Sequence, residues 1–120
     1  NDGVQMITAV PGFVSAAVHE WVAAGEQGPR PAVSVKDVAD HVEAARDVMG
    51  VDHVGVGGDY DGTGAMPTGM EDVGKYQNLF EELRSRGWSE DDLNKLGWRN
   101  ALRVLEANDG AYKAFMAAGA

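Results

Sequence analysis

Apolar and polar positions along this 120-residue chain follow two periods, one short and strand-like, the other close to the helical repeat. Val4 to Val10 (VQMITAV) is a short, mostly apolar run stopped by Pro11-Gly12, and its length and flanks predict a strand. Residues 13–24 (FVSAAVHEWVAA) are alanine-rich and predict one or two helical turns, followed by a loop from Gly25 to Pro31. Ser34 to Met49 predicts a full helix. Ser34 is a good N-cap and Asp37 stands three residues on, at capping-box spacing. Val35, Val38, Val42, Ala45 and Met49 share one face, and Gly50 is a natural stop. Val51 to Val56 (VDHVGV) reads as a second strand. Beyond it, Val73, Tyr76, Phe80 and Leu83 form another helical stripe, closed by Gly87. Ser89 with Asp92 opens a further helix whose face is Leu93, Leu96, Ala101, Val104 and Leu105. A last short helix holds Tyr112, Phe115 and Met116.

Strands alternating with helices predict βαβ units, parallel pairing and an α/β fold. Two parallel strands make a poor sheet, because each needs neighbours and both faces need cover. The expectation is one partial domain over residues 1–120, a slice of a larger α/β architecture. A missing portion or self-association would cover its edges.

Composition narrows the partners. The chain is 44% hydrophobic and 24% charged, ordinary for a globular protein. A net charge of −9 argues against nucleic acid or an anionic membrane surface, both of which need clustered Lys and Arg. Without cysteine there is no disulfide scaffold, zinc knuckle or thiol nucleophile. No apolar run approaches the about 18 residues of a membrane span, and no signal-like start is present, so no membrane segment is expected and a cytoplasmic location is favoured. The chain opens on Asn1-Asp2-Gly3 rather than Met, which suggests a processed, trimmed or partial chain.

The candidate chemistry lies in VGVGGDYDGTG, Val54 to Gly64, where five glycines carry two aspartates. Asp59, Asp61, Thr63 and Gly64 fit positions 1, 3, 5 and 6 of a calcium loop, but position 12 is Met70 with Glu71 one residue late, and a strand precedes it. A dinucleotide cradle fails because Tyr60 replaces the third glycine, and there is no Gly-Lys-Ser/Thr for a phosphate loop. A plain turn accounts for the composition, since Gly and Asp tolerate left-handed backbone. Position points further: Asp59 comes after a parallel strand, at the end where α/β folds bind ligands and project catalytic groups. Gly57 and Gly58 leave room for a backbone or substrate to approach.

Together with the segments downstream of it, this loop belongs to a larger pattern. GVDHVGVGGDYDG, then PTGMEDVGKY, then RGWSEDDLNKLGWRNALRVLE resembles the C-terminal part of the membrane (renal-type) dipeptidase family, zinc metallopeptidases of the amidohydrolase kind. The likeness runs from about Val33 to Glu106, and more weakly back to Val4. It implies the last βα units of a (β/α)8 TIM barrel, with Val4–Val10 and Val51–Val56 as strands seven and eight. It implies hydrolysis of dipeptides, including some with D-residues, at two zinc ions on the barrel's C-terminal face. Asp59 matches the last-strand carboxylate that hydrogen-bonds the attacking water and carries its proton to the leaving amine. Asp61 is the second candidate, more simply a loop-shaping residue that accepts backbone N–H bonds, with Gly57 and Gly62 shaping the same loop. Gly58 and Tyr60 stand as substrate contacts. The family's metal ligands, an H-x-D pair, a bridging glutamate and two histidines, come from earlier strands, so no metal ligand is assigned to this chain. On its own the chain is expected to be inactive and not to retain zinc. A different class stays open beside this: a non-catalytic remnant or interaction module that self-associates through its edges.

The remaining candidates have plainer readings. His41, four after Asp37, reads as half of an exposed helical pair. His53 falls at the start of its strand, away from any barrel mouth, and only His19 is placed to face a site. Ser89-Glu90-Asp91-Asp92 reads as a helix cap, as do Glu71 and Asp72, with the rim of the site as the alternative for the latter pair. Trp88 and Trp98 read as braces for the final helices. Arg99, Asn100 and Arg103 read either as a polar network at the barrel wall or as a solvated face.

Overall fold

A computed structural model describes residues 1–119. Two parallel strands, β1 (Gln5–Thr8) and β2 (Val54–Gly58), form the sheet, paired from Gln5–Val54 to Thr8–Gly58 with an irregularity between Ile7 and Thr8. The helices, in chain order, are α1 (Pro11–Val14), α2 (Ala16–Ala23), α3 (Val35–Met49), α4 (Tyr76–Ser85), α5 (Glu90–Asn94) and α6 (Asn100–Ala117). The order is that of a βαβ unit with a helical C-terminal half, a mixed helix-and-strand fold.

The element boundaries depart from the sequence pattern for local reasons. Pro11 opens α1 instead of merely ending the strand, because its fixed φ and missing N–H suit a first helical turn. Ser15 interrupts the predicted 13–24 helix and caps α2 by accepting from the Val18 N–H. The second strand starts at Val54, not Val51. Residues Val51–His53 form a 3₁₀ turn, and the strand runs on to Gly58. Val73 is exposed in a 3₁₀ turn that precedes α4. A π-turn over Lys95–Arg99 joins α5 to α6, with Gly97 under the Phe80 ring, where an added Cβ would lie 3.2 Å from Cζ. The extra residue rotates the helix phase. Leu105, placed on the buried face by the sequence pattern, is 67% exposed. The last helix is not separate: Tyr112, Phe115 and Met116 continue α6 and stand exposed. Among the described residues, no helix is long and apolar enough to cross a membrane.

α3 forms as expected. Ser34 accepts from Lys36 N–H, and its own N–H donates to Asp37 Oδ2 at 2.7 Å, closing the capping box. Those backbone and hydroxyl bonds hold the Asp37 carboxyl below its ordinary pKa. They also occupy the carboxylate, so the anticipated Asp37–His41 pair does not form. Val38, Ala39 and Val42 of α3 meet Ile7, Val54, Leu79, Leu83, Trp88, Leu93 and Leu96 in one core. Its edge is closed by Arg86, which bonds Asp40, Glu43 and Glu82, and by the Trp88 indole, which donates to Glu43 and lies under Arg46. The loop after β2 is tied to the start of α3 by paired bonds, Thr68 N–H to Val33 O and Val35 N–H to Thr68 O.

Asn100 anchors the helical half to the sheet. Its amide, 4% exposed, donates to Val51 O at 2.7 Å and Val54 O at 2.8 Å. Arg103 adds bonds to the Asp2 and Asp52 carbonyls. The polar network at the start of β2 is real, and Arg99 alone lies on the solvated side, paired with Asp91. We predict that Asn100→Ala, which strands two inward-facing carbonyls, lowers unfolding free energy by about 2 kcal/mol. Asn108→Ala, whose amide bonds one exposed helix carbonyl, should stay within about 0.5 kcal/mol. Urea denaturation of both variants checks this. Equal effects would show that the buried anchor is not what matters.

Candidate active site

The backbone reverses sharply where β2 ends. Gly58 has φ +70°, and the Asp59 N–H donates back to Gly57 O at 2.9 Å. A two-residue hydrogen bond around a positive-φ centre is a γ-turn of the rare, strained kind. Asp59 itself is left-handed, at φ 66° and ψ 38°. Asp is among the few residues that accept this region readily. The Gly58 carbonyl, held by the Ala9 N–H at 3.0 Å, pins the turn to the end of β1. A 3₁₀ turn over Tyr60–Gly62 comes next, closed by Gly62 N–H to Asp59 O.

This geometry presents the Asp59 carboxylate beyond the C-terminal end of the sheet. The residue is exposed, and among the described residues its side chain has no hydrogen-bond partner. The carboxylate folds over Gly62, and a Cβ there would lie 2.1 Å from Oδ1. The side-chain space of Gly62 is thus occupied by the Asp59 carboxylate. The Gly57 carbonyl is the acceptor of the γ-turn. Asp61 is exposed and accepts no backbone N–H among the described residues, so the loop is closed by the backbone itself.

Gly58 is buried, and its empty side-chain space is filled. An added Cβ would lie 2.0 Å from the Tyr76 hydroxyl and 3.0 Å from the Tyr60 ring edge. The two rings meet edge to face, 5.4 Å apart at 76°. The Tyr60 hydroxyl turns inward and is buried without a partner, a cost of about 1–3 kcal/mol. Burial raises both phenol pKa values, so both hydroxyls stay protonated. The sequence pattern marks Tyr76 only as part of a core stripe and does not reveal its contact with Gly58. The signal available is its place at the end of the E-D-x-x-K-Y segment.

The other candidates lie elsewhere. Asp72 caps the turn before α4 by accepting from Gly74 N–H. Glu71 accepts from Lys75 and Gly69 N–H, and the Lys75 ammonium in particular draws its carboxyl down to about 2. His53 donates to the Gly3 carbonyl at 2.8 Å, at the opposite end of the strands. His19 and His41 line an open cleft of about 540 Å³ with Phe13 and Glu20, between α2 and α3. Trp88 is a buried brace, whereas Trp98 is half exposed and donates to Asn94. Among the described residues, no group of three or more His, Cys, Asp or Glu side chains is arranged to hold a metal.

Comparison with known proteins places this strand pair and its carboxylate-bearing loop in a family of metal-dependent hydrolases. The sequence profile of the membrane dipeptidase family (peptidase family M19) matches residues 1–117. Dipeptidase aclJ of Aspergillus oryzae is 40% identical over 105 residues, which are 88% of this chain and 22% of that protein. Dipeptidase 3 of Homo sapiens is 51% identical over 72 residues, 60% of this chain and 15% of the human protein. Dipeptidase 3 of Mus musculus is 38% identical over 105 residues, 88% and 19% respectively. The chain belongs to the membrane dipeptidase family, and it spans between 15% and 22% of the length of these curated relatives.

The fit between Asp59 and Gly62 carries a prediction. Gly62→Ala leaves folding stability within about 0.5 kcal/mol, because only a side-chain end must move, yet it displaces the Asp59 carboxylate. Gly64→Ala, with open space around it, leaves Asp59 unchanged. The Asp59 side-chain carboxyl ¹³C resonance reports both. Identical spectra for the two variants would refute the packing.

Proposed function

We propose that this chain supplies the proton-handling carboxylate and one wall of the active site in a dipeptide hydrolase. The observation that carries the reading is Asp59, held left-handed at the end of the last strand with its carboxylate exposed. In peptide hydrolysis, water adds its oxygen to the scissile carbonyl, and the C–N bond then breaks. Asp59 accepts the proton that the water loses and returns it to the departing amine nitrogen. Gly57, exposed beside the buried Gly58, keeps that part of the strand end free of a side chain, so a substrate backbone can lie against it. Two zinc ions, which family membership implies, would be held by residues outside this chain. Such a site completes a TIM barrel of which β1 and β2 are two strands. Dipeptides are the substrate, and the 120 residues alone do not turn over.

A second reading keeps the fold without the chemistry. Among the described residues both strands have a free edge, and α6 carries Leu105, Tyr112, Phe115 and Met116 in the open. These features suit a non-catalytic module that self-associates.

One chimera separates the two. Residues 1–117 replace the matching segment of an active family member, and hydrolysis of an Ala-type dipeptide is followed. Turnover by the chimera is expected. Asp59→Asn should lower kcat by about 10²–10⁴-fold, and Asp61→Asn should change it only slightly. Circular dichroism confirms that each variant is folded. A folded Asp59→Asn chimera with undiminished kcat would overturn the catalytic assignment. A folded parent chimera without turnover would favour the non-catalytic module.

A further inference from the structure

We infer that Tyr76 is a positioning residue for Asp59, acting through Gly58. The inference rests on the reading of Asp59 as the proton carrier, and it adds a residue that the reaction depends on without its touching substrate. Three observations converge. Gly58 and Asp59 are consecutive positive-φ residues, at 70° and 66°, and the first of them is the centre of a strained γ-turn. Strained backbone persists only where its surroundings over-determine it. Here the space over Gly58 is filled from one side by the Tyr76 hydroxyl and the Tyr60 ring edge. From the other side the Gly58 carbonyl is tied to Ala9 N–H.

Tyr76 opens α4, a helix whose Leu79 and Leu83 are fully buried in the core. The ring is thus mounted on a helix packed into the core. Tyr60 lies in the loop itself and leans edge-on against it. The Tyr60 hydroxyl is buried without a partner, so its ring, not its oxygen, does the holding. Removing Tyr76 would free Gly58 to relax toward an extended strand end. That swings the next residue, Asp59, away from the scissile bond.

A double-mutant cycle in the chimera tests this. Tyr76→Ala should lower kcat by about 10–100-fold with KM little changed, as expected when a reacting group is misplaced by an ångström or so. In an Asp59→Asn background the same substitution should cost little more, because the group it positions is already gone. Equal losses in both backgrounds would overturn the proposal. A readout independent of turnover uses the 120-residue chain. Tyr76→Ala should abolish the positive-φ coupling signature at Asp59 and leave the resonances of the Ser34–Asp37 capping box in place. Retention of that signature, with the capping box intact, would sink the inference whether or not the chimera is a dipeptidase.

Discussion

The absence of a side chain at Gly58 is the constraint on which the site depends. Only there can the strand turn back on itself within one residue, because φ +70° and a γ-turn hydrogen bond leave no place for a Cβ. The space saved is taken by Tyr76 and Tyr60, which lock the turn to α4. The carbonyl on the other side is taken by Ala9, which locks it to β1. A left-handed Asp59 comes next, and its carboxylate in turn needs the bare Cα of Gly62. The glycines flanking the two aspartates thus have separate duties: Gly57 accepts, Gly58 reverses, and Gly62 yields.

Behind this loop stands a small core that resists its strain. The α3–α4 packing, edged by Arg86 and Trp88, carries Tyr76. The Asn100 amide fixes the start of β2 to the C-terminal helices. The rest of the molecule is less contained. The radius of gyration is 17.1 Å, against about 14 Å for a compact chain of this length, because the last turns of α6 project from the body. Two strands with free edges and an exposed apolar helix face fit a chain that spans a fifth or so of its relatives.

Much of this was legible in the residues. The capping box at Ser34 and Asp37, the 3-4-3-4 face of α3 and the parallel strand pair arise from local pattern, and tertiary packing agrees with it. The family is legible in the ordered motifs between Val33 and Glu106. What escaped had physical causes. Val51–His53 reads as strand by composition, but Asn100 and Arg103 capture the carbonyls there and hold a turn. The phase of α6 depends on a π-turn under the Phe80 ring, which no periodicity announces. Tyr76 looks like any apolar helix position, because its partner is an empty space at Gly58. Such contacts, defined by a missing atom, are invisible until the chain is folded.

The most direct test is the backbone angle at the strand end in the unmodified chain. Three-bond HN–Hα couplings, combined with the Cα shifts of both residues and the Cβ shift of Asp59, report φ for Gly58 and Asp59 in solution. Positive φ at both residues is the expected result. An extended Asp59, continuing β2, would contradict the account, because its carboxylate would then no longer lie over Gly62 or project beyond the sheet.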